Sequence, residues 1–328
     1  MEFVIMENQA PASPAPQVLA IGKFDGVHLG HRAILNTART LLGPGERLAV
    51  MSFEPHPTFV LTGDPEYARW LTPRRERVRL FTELGVDAFY VAQFNRAFQQ
   101  LEPAEFVDGY LVPLRVRCVV VGPDFRFGRG GQGTVDVLRQ LGHARGFDVH
   151  VVQPVEEHGH KISSSRIREH LREGRVEAAQ ALLGRPYTIS GEVVHGDKRG
   201  RTIGFPTANL GGIDAYVLPK TGVYAAFVEV EGAHHAFAAH AFGVLNAGYR
   251  PTVDGRVFQL EVHLLDFDGD LYGKTLSVSF LRRIRDEMKF DGLDALKAQI
   301  ARDCELARAL VGLTNRASAM PPSSHGGR

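Results

Sequence analysis

The sequence predicts two domains of different fold class: an N-terminal α/β domain with a doubly wound, Rossmann-like parallel sheet, and a C-terminal antiparallel β-barrel with a terminal helix. Short apolar runs alternate with segments of helical spacing over the first half of the chain, which is the pattern of βαβ units. Beyond residue 185 the pattern changes to short alternating strands joined by Gly and Asp turns. With 328 residues, of which 44% are hydrophobic, the chain can bury a core in each domain.

Short apolar runs mark the predicted strands of the first domain. Turn residues bound each run, and segments of helical spacing separate them, which favours a parallel sheet covered by helices. Helix-start signals lie between the runs, with Pro73 and Pro103 at first-turn positions and Thr134 and Ser164 as caps. The predicted strands are residues 18–21, 48–53, 88–91, 118–121 and 149–152.

The second domain shows alternating apolar and polar residues in four clear runs and then one helical stretch. The predicted strands are residues 188–194, 223–230, 259–265 and 276–280, and the predicted helix is 293–310. We therefore predict domains over residues 17–184 and 185–313. Stretches rich in Pro, Ala, Ser and Gly occur near both termini, so we predict flexible ends over 1–16 and 314–328.

Composition limits the partners of the chain. Lys plus Arg number 38 against 37 Asp plus Glu, so no basic field favours binding to nucleic acid or to an anionic membrane. No window approaches the ~18 apolar residues of a membrane span. Cys118 and Cys304 are too few for a disulfide framework, which fits a reducing cytoplasm. We expect a cytoplasmic protein with small-molecule partners, and the oligomeric state, including a homo-oligomer, stays open.

Two histidines, His28 and His31, follow the first predicted strand. The chain passes from residues 18–21 through Gly22 and Gly30 into a helix predicted to begin near His31. In an open α/β sheet ligands bind at this end of the strands, and a helix N-terminus favours anions. Two loop histidines alone are more often ordinary surface residues, so this prediction depends on what surrounds them.

A second group of polar residues, Ser163, Ser164 and Arg166, opens another predicted helix after strand 149–152. Hydroxyls and a guanidinium at a helix start can bind the distal phosphates of a nucleotide such as ATP. Because the carboxyl ends of parallel strands meet at one edge of the sheet, we expect this group to lie near the histidines.

Two further strand ends carry polar or glycine residues. Gly122 and Asp124 follow strand 118–121, where a glycine permits close backbone approach and a carboxylate can bond a ribose or an adenine-facing group. His56 follows strand 48–53 in the same way. Each of these segments alone is more simply interpreted as a turn, but four such ends at one sheet edge indicate a binding site.

The segments 22–31, 53–57, 121–128 and 162–168 together resemble the FMN adenylyltransferase module of prokaryotic bifunctional riboflavin kinase/FMN adenylyltransferases (FAD synthetases). The resemblance implies a nucleotidyltransferase-like domain that joins FMN to the adenylyl group of ATP. It implies catalytic roles for His28, His31, Ser164 and Arg166, and a flavin contact for His56. The nucleotide contacts that it implies are Gly22, Phe24, Gly30, Gly122, Asp124 and Ser163. Two residues depart from the family pattern: Lys23 stands where family members often have Asn, and Asp124 stands where some have Asn.

Segment 191–209 resembles the riboflavin kinase signature. Gly196, Gly200 and Gly204, with the basic residues between them, can form a flap over phosphates, and the resemblance implies nucleotide contacts from Gly196, Lys198 and Gly204. If residues 207–209 are extended, period two puts the Thr207 hydroxyl and the Asn209 amide on one face, where both oxygens suit Mg²⁺. Taken alone, this triplet is more often a polar strand end.

Four later segments, 219–224, 243–252, 260–263 and 280–290, also match the kinase family in order. The match implies that Glu261 is a general base for the riboflavin 5′-hydroxyl, although a lone Glu on a strand more often faces solvent. It implies flavin contacts for Arg285 and Phe290. The implied substrates and products are ATP, riboflavin, FMN and FAD, with Mg²⁺ as cofactor.

Two alternative functions stay open. The His28 to His31 pattern also resembles other nucleotidyltransferases and class I aminoacyl-tRNA synthetases, so the first domain could use another acceptor. The chain could also be a flavin-binding regulator without turnover. The kinase signature argues against the first alternative, and the complete set of catalytic residue types argues against the second.

Overall fold

A parallel sheet and a closed barrel form the centres of two units. The computed structural model describes residues 1–196, 199–231, 240–252 and 255–318. The first unit comprises Met1–Arg166, Leu182–Gly184 and Ala215–Val217, and the second comprises Ile167–Ala181, Arg185–Asp214 and Leu218–Arg328. Within the described residues no helix is both long and apolar enough to cross a bilayer.

The first unit has a six-stranded parallel sheet of order β1-β4-β3-β2-β5-β6 and a separate small hairpin, β7-β8. Its elements in chain order are β1 (Glu2–Met6), β2 (Gln17–Ile21), α1 (Leu29–Thr40), β3 (Arg47–Glu54), α2 (Pro57–Thr62), α3 (Arg74–Glu83), β4 (Ala88–Gln93), α4 (Arg96–Gln99), α5 (Pro103–Phe106), β5 (Val116–Val121), α6 (Val135–Arg145), β6 (Asp148–Val151), β7 (Glu156–Glu157) and β8 (His160–Lys161). The doubly wound parallel sheet predicted from the sequence is confirmed.

Both faces of this sheet are covered, which explains why its strands are apolar runs without polar alternation. Along β2, Leu19 and Ile21 pack into one buried cluster, and Val18 and Ala20 pack into another on the opposite face. Every residue of β2 is buried. Packing on both faces therefore fixes the carboxyl end of β2, and this end of the strand determines where the residues that follow it lie.

Strand β1 lies where the sequence predicts a flexible end. It pairs with the edge of β4 in parallel register, with Phe3 opposite Phe89, and Met6 is buried in the core. The next residues are also fixed, because the Ala10 and Ser13 amides donate to the carbonyls of Gly109 and Pro113. The strand forms because β4 leaves one edge open, a tertiary feature that local composition does not reveal.

The second unit contains a closed barrel of antiparallel strands in the order β10-β13-β12-β11-β14-β9. The remaining elements are α7 (Ser164–Arg172), which begins in the first unit, α8 (Val176–Leu183), β9 (Tyr187–Val194), α9 (Arg199–Thr202), β10 (Ala208–Gly211), β11 (Gly222–Val230), β12 (His240–Thr252), β13 (Gly255–Leu264), β14 (Thr275–Arg285) and α10 (Leu293–Ser318). The predicted barrel with a terminal helix is confirmed, and the exact domain limits stay predictions.

Helix α10 packs on the barrel through Cys304 and Ala307, which contact Val223, Ala225 and Val244. It continues to Ser318, past the predicted end at residue 310, because no proline interrupts the chain before Pro321. Residues 319–328 of the predicted flexible end lie outside the described part.

Strand β12 is absent from the four runs predicted from sequence. Its Gly243, Gly248 and Pro251 weaken the local strand signal. It forms because β11 and β13 pair with it on both sides, which supplies hydrogen bonds that outweigh the local preference.

Candidate active sites

A cavity of about 890 Å³ opens at the carboxyl ends of the parallel strands. Ten of the eleven site residues predicted for the first domain line it, although they come from four separate parts of the sequence. They are Gly22, Phe24, His28, Gly30, His31, His56, Gly122, Asp124, Ser163 and Ser164. The sheet brings them together because each follows a strand or opens a helix at the same edge.

The two histidines stack on each other at the start of α1. Their ring centroids lie 3.6 Å apart with planes inclined by 15°. His28 is the N-cap, and its Nδ1 accepts a hydrogen bond from the His31 amide at 3.3 Å. The helix thus begins at Leu29, slightly earlier than predicted. Because Nδ1 accepts, a neutral His28 carries its proton on Nε2, and an Nε2–H group is of the type that can donate to an anionic ligand.

Gly30 allows the His28 ring to lie against the first turn of α1. A Cβ at position 30 would lie 3.2 Å from both Cε1 and Nδ1 of that ring, which is tighter than ordinary contact. The close approach explains why glycine stands between the two histidines.

We expect Gly30→Ala to displace the His28 imidazole and lower the rate of chemistry in this cavity by about tenfold, since small misplacements of a reacting group are costly. Alanine favours the helix over glycine by about 1 kcal/mol, which offsets a similar cost of losing the His28 cap, so global stability should change little. The measurement is the reaction that the family resemblance implies for this cavity, FAD formation from FMN and ATP, with FMN formation from riboflavin by the same chain as control. An unchanged rate would show that the fit at position 30 is unimportant.

Ser163, Ser164 and Arg166 lie at the start of α7, but only the serines line the cavity. The Ser164 hydroxyl donates to the Asp25 carbonyl at 2.7 Å, so its single proton is already committed. Arg166 donates to the carbonyls of His160 and Lys161 at 3.0 and 3.1 Å. In this geometry Ser164 holds a loop and Arg166 holds the β7-β8 hairpin; their predicted catalytic roles stay predictions.

Asp124 forms an ion pair with Lys161 of β8 at 2.6 Å, and both line the cavity. The hydrogen bond from Lys161 lowers the pKa of the Asp124 carboxyl, so this carboxylate is ionised near neutrality. Lys23, the other departure from the family pattern, donates to the Thr58 hydroxyl at 3.1 Å. Lys161, as the ion-pair partner, therefore balances the charge that Asp124 adds to the cavity.

His56 is buried, and its ring lies 4.9 Å from both the Tyr67 and the Trp70 rings. Its Nδ1 accepts from the Thr58 amide, which makes His56 the cap of α2. Sequence reasoning missed the neighbouring apolar wall, which is formed by Phe53, Phe94, Phe98, Phe106, Phe125 and Phe127. Phe125 and Phe127, in segment 121–128, were the features of the sequence that could have indicated this wall.

Glu261 lies on β13 between two asparagines. Its register partners are Asn209 on β10 and Asn246 on β12. Directly opposite residues of antiparallel strands present their side chains on one face, with Cβ atoms about 5 Å apart. Leu260 and Val262 on either side are buried in the barrel, so this polar row faces outward. Sequence reasoning missed Asn246 because strand pairing is not visible along the chain.

Two glycines of the glycine-rich segment, Gly196 and Gly200, lie close to the Asn209 and Thr207 side chains. A Cβ at Gly196 would overlap the Asn209 amide, and one at Gly200 would lie 3.4 Å from the Thr207 hydroxyl oxygen. Gly204 turns the chain with a φ of 90°. Lys198 lies outside the described residues. The two side-chain oxygens, with the Glu261 carboxylate one strand away, are the donor types that Mg²⁺ prefers, so these residues fit that ion.

Arg285 and Phe290 lie together at the end of β14. The guanidinium carbon of Arg285 is 5.9 Å from the Phe290 ring centroid. Arg285 also makes a bidentate ion pair with Asp303 of α10. The Asp303 side chain is only 3% exposed. Arg285 thus anchors the terminal helix to the barrel, and its flavin contact stays a prediction.

Comparison with known proteins agrees with this division. The family model for FAD synthetase matches residues 10–166, and the family model for riboflavin kinase matches residues 183–311. Two proteins named bifunctional riboflavin kinase/FMN adenylyltransferase illustrate the similarity. The one from Escherichia coli K12 is 46% identical over 93% of this chain and 97% of its own length. The one from Bacillus subtilis is 44% identical over 92% of each chain.

A solved structure shows the same fold over most of the chain. A crystal structure of a protein named as a macrolide-efflux protein, from Streptococcus pneumoniae, is 34% identical and covers 94% of this chain and 99% of its own, with a TM-score of 0.84. The matches in sequence extend through both units and include both family models. The chain therefore belongs to the family of bifunctional riboflavin kinase/FMN adenylyltransferases.

Proposed function

We propose that the barrel phosphorylates riboflavin with ATP to give FMN and ADP, and that the cavity of the parallel sheet then joins FMN to a second ATP to give FAD and pyrophosphate. One observation carries the assignment: the phosphate-handling groups form two sets, one in each unit. His28 and His31 line the cavity, whereas Glu261 faces outward on the barrel beside Asn209.

In the kinase step Glu261 is the general base. It takes the proton of the riboflavin 5′-hydroxyl as that oxygen attacks the γ-phosphorus of ATP, and the bond between the γ-phosphorus and the bridging oxygen breaks to release ADP. Asn209 is the register partner of Glu261, and Gly196 and Gly200 approach the Asn209 and Thr207 side chains. The flap covers the transferring group and excludes the water that would otherwise hydrolyse ATP.

Thr207 and Asn209 are the residues that would hold Mg²⁺. When bound, the ion neutralises part of the charge on the transferring phosphoryl group. The overlap between a Cβ at Gly196 and the Asn209 amide supports this role, because a glycine there lets the backbone approach the Asn209 side chain closely.

In the adenylyl step no general base is needed, because the FMN phosphate is already an anionic nucleophile. Its oxygen attacks the α-phosphorus of ATP, and the bond to the β-phosphate breaks. His28 offers its Nε2 proton to the developing charge, and the N-terminus of α1 adds backbone donors at the same place. The phenylalanine wall supports a flavin as acceptor rather than a smaller polar molecule.

Asn246 extends the kinase site to a third strand. As the register partner of Glu261, it can donate its amide to the carboxylate and orient it. We expect Asn246→Ala to lower the kcat of FMN formation about tenfold, the effect of losing one hydrogen bond to a charged group. FAD formation from supplied FMN should be unchanged. Equal losses in both reactions would contradict this role.

The products formed from ATP test the proposal directly. With riboflavin as the only flavin, the first product should be ADP; with FMN as the only flavin, it should be pyrophosphate without ADP. Pyrophosphate from FMN with no ADP from riboflavin would refute the kinase assignment. ADP from riboflavin would also exclude a regulator without turnover.

We also place the enzyme in the cytoplasm. Cys118 and Cys304 are free thiols, which suits a reducing compartment. Burial raises the pKa of each, so neither forms a reactive thiolate.

A further inference from the structure

The loop that leads into the His28 cap has an unusual backbone conformation. Phe24 and Val27 have φ values of 51° and 43°, in the left-handed region that L-residues with large side chains rarely adopt. Both side chains are fully buried. Such residues persist only where the surroundings fix the backbone, and Val27 directly precedes the histidine.

Buried polar groups hold this loop from two sides. On one side, Asp25 is fully buried and accepts a hydrogen bond from the Leu71 amide at 2.7 Å. The Gly26 amide donates to the Thr72 hydroxyl at 2.8 Å, which ties the same two segments together. On the other side, the Ser52 hydroxyl donates to the Lys23 carbonyl at 2.8 Å.

Arg77 stands behind Ser52. Its guanidinium donates to the Ser52 hydroxyl at 2.9 Å and to the Glu54 carboxylate, and its carbon lies 4.2 Å from the Trp70 ring centroid. Arg77 and Ser52 are both fully buried. Because Arg77 donates to it, the serine oxygen must direct its own proton to Lys23, so the cation fixes the direction of the hydrogen bond that holds the loop.

We propose that Ser52, backed by Arg77, and Asp25 are positioning residues for adenylyl transfer: they fix the loop in which Phe24 and Val27 are left-handed, and this loop places the His28 imidazole at the start of α1. None of the three needs to touch a substrate. The inference rests on the proposed function of the cavity and adds the groups that keep its histidine in place.

The decisive variant is Ser52→Ala, which removes the donor to Lys23 and the acceptor of Arg77. We expect kcat for FAD formation from FMN to fall about tenfold or more, because the histidine is displaced, with a smaller change in KM. FMN formation at the barrel should be unchanged. The matched control is Ser13→Ala, because the Ser13 hydroxyl also donates to a backbone carbonyl in the same unit, that of Ala15, but outside the cavity lining.

Thermal unfolding of both variants separates positioning from stability. Similar losses of Tm, with a rate loss only in Ser52→Ala, support the proposal; a normal adenylyl kcat in folded Ser52→Ala overturns it. If Ser52→Ala does not fold, Thr72→Val removes the acceptor of Gly26 with little change of shape and carries the same expectation. If the unaltered enzyme makes no FAD from FMN, the function of the cavity fails instead, independently of Ser52.

Discussion

Glu261→Gln is expected to lower the rate of FMN formation from riboflavin by about 10²- to 10⁴-fold, the usual contribution of a general base. Glutamine keeps the size of the side chain and its place beside Asn209 and Asn246, but it cannot take the hydroxyl proton. FAD formation from supplied FMN should keep its normal rate. The measurement is the initial rate of each reaction in the same preparation.

Glu229→Gln is the matched control, since Glu229 is an exposed carboxylate on β11 of the same barrel and pairs with Ser277 rather than with the asparagine row. Both rates should be normal in this variant. Loss of FAD formation from FMN in Glu261→Gln would contradict the assignment of the two reactions to separate sites.

Replacement of both histidines, His28→Ala with His31→Ala, is expected to have the opposite effect. The rate of FAD formation from FMN should fall by at least about 10²-fold, because donors to the developing charge at the α-phosphate are lost. FMN formation should continue, and FMN should accumulate when riboflavin and ATP are supplied.

Loss of the N-cap is a separate effect of this change, because His28 accepts from the His31 amide. Alanine at an N-cap costs about 1 kcal/mol of stability. His28→Asn keeps an N-cap acceptor and isolates the chemistry: its Tm should stay near that of the unaltered enzyme while FAD formation falls. Normal FAD formation by His28→Asn would show that the imidazole has no catalytic role.

The composition of the first site was largely predictable because strand ends can be located from sequence. His28, His56, Gly122 and Ser163 each follow an apolar run, and parallel strands bring such positions to one sheet edge. The direction of side chains was not predictable. Arg166 is next to the serines in sequence, yet its guanidinium bonds the β7-β8 hairpin, which has no strong local signal.

Pairing between strands was the main feature that the sequence did not reveal. Asn246 joins the kinase site because β12 pairs with β13, and the glycines of β12 hide that strand from a search for alternation. Ser52 is similar, since a serine at the end of an apolar run carries no sign that a buried arginine lies behind it. Tertiary contacts therefore add the positioning residues, whereas sequence patterns indicate the reacting ones.

The central claim is that one chain carries out both steps, and a time course resolving riboflavin, FMN and FAD by HPLC tests it most directly. Purified enzyme with riboflavin, excess ATP and magnesium should produce FMN first and then convert it to FAD, with one ADP and one pyrophosphate released for each FAD. FMN that accumulates without FAD would contradict the function given to His28 and His31. Absence of FMN and FAD would contradict the function given to Glu261.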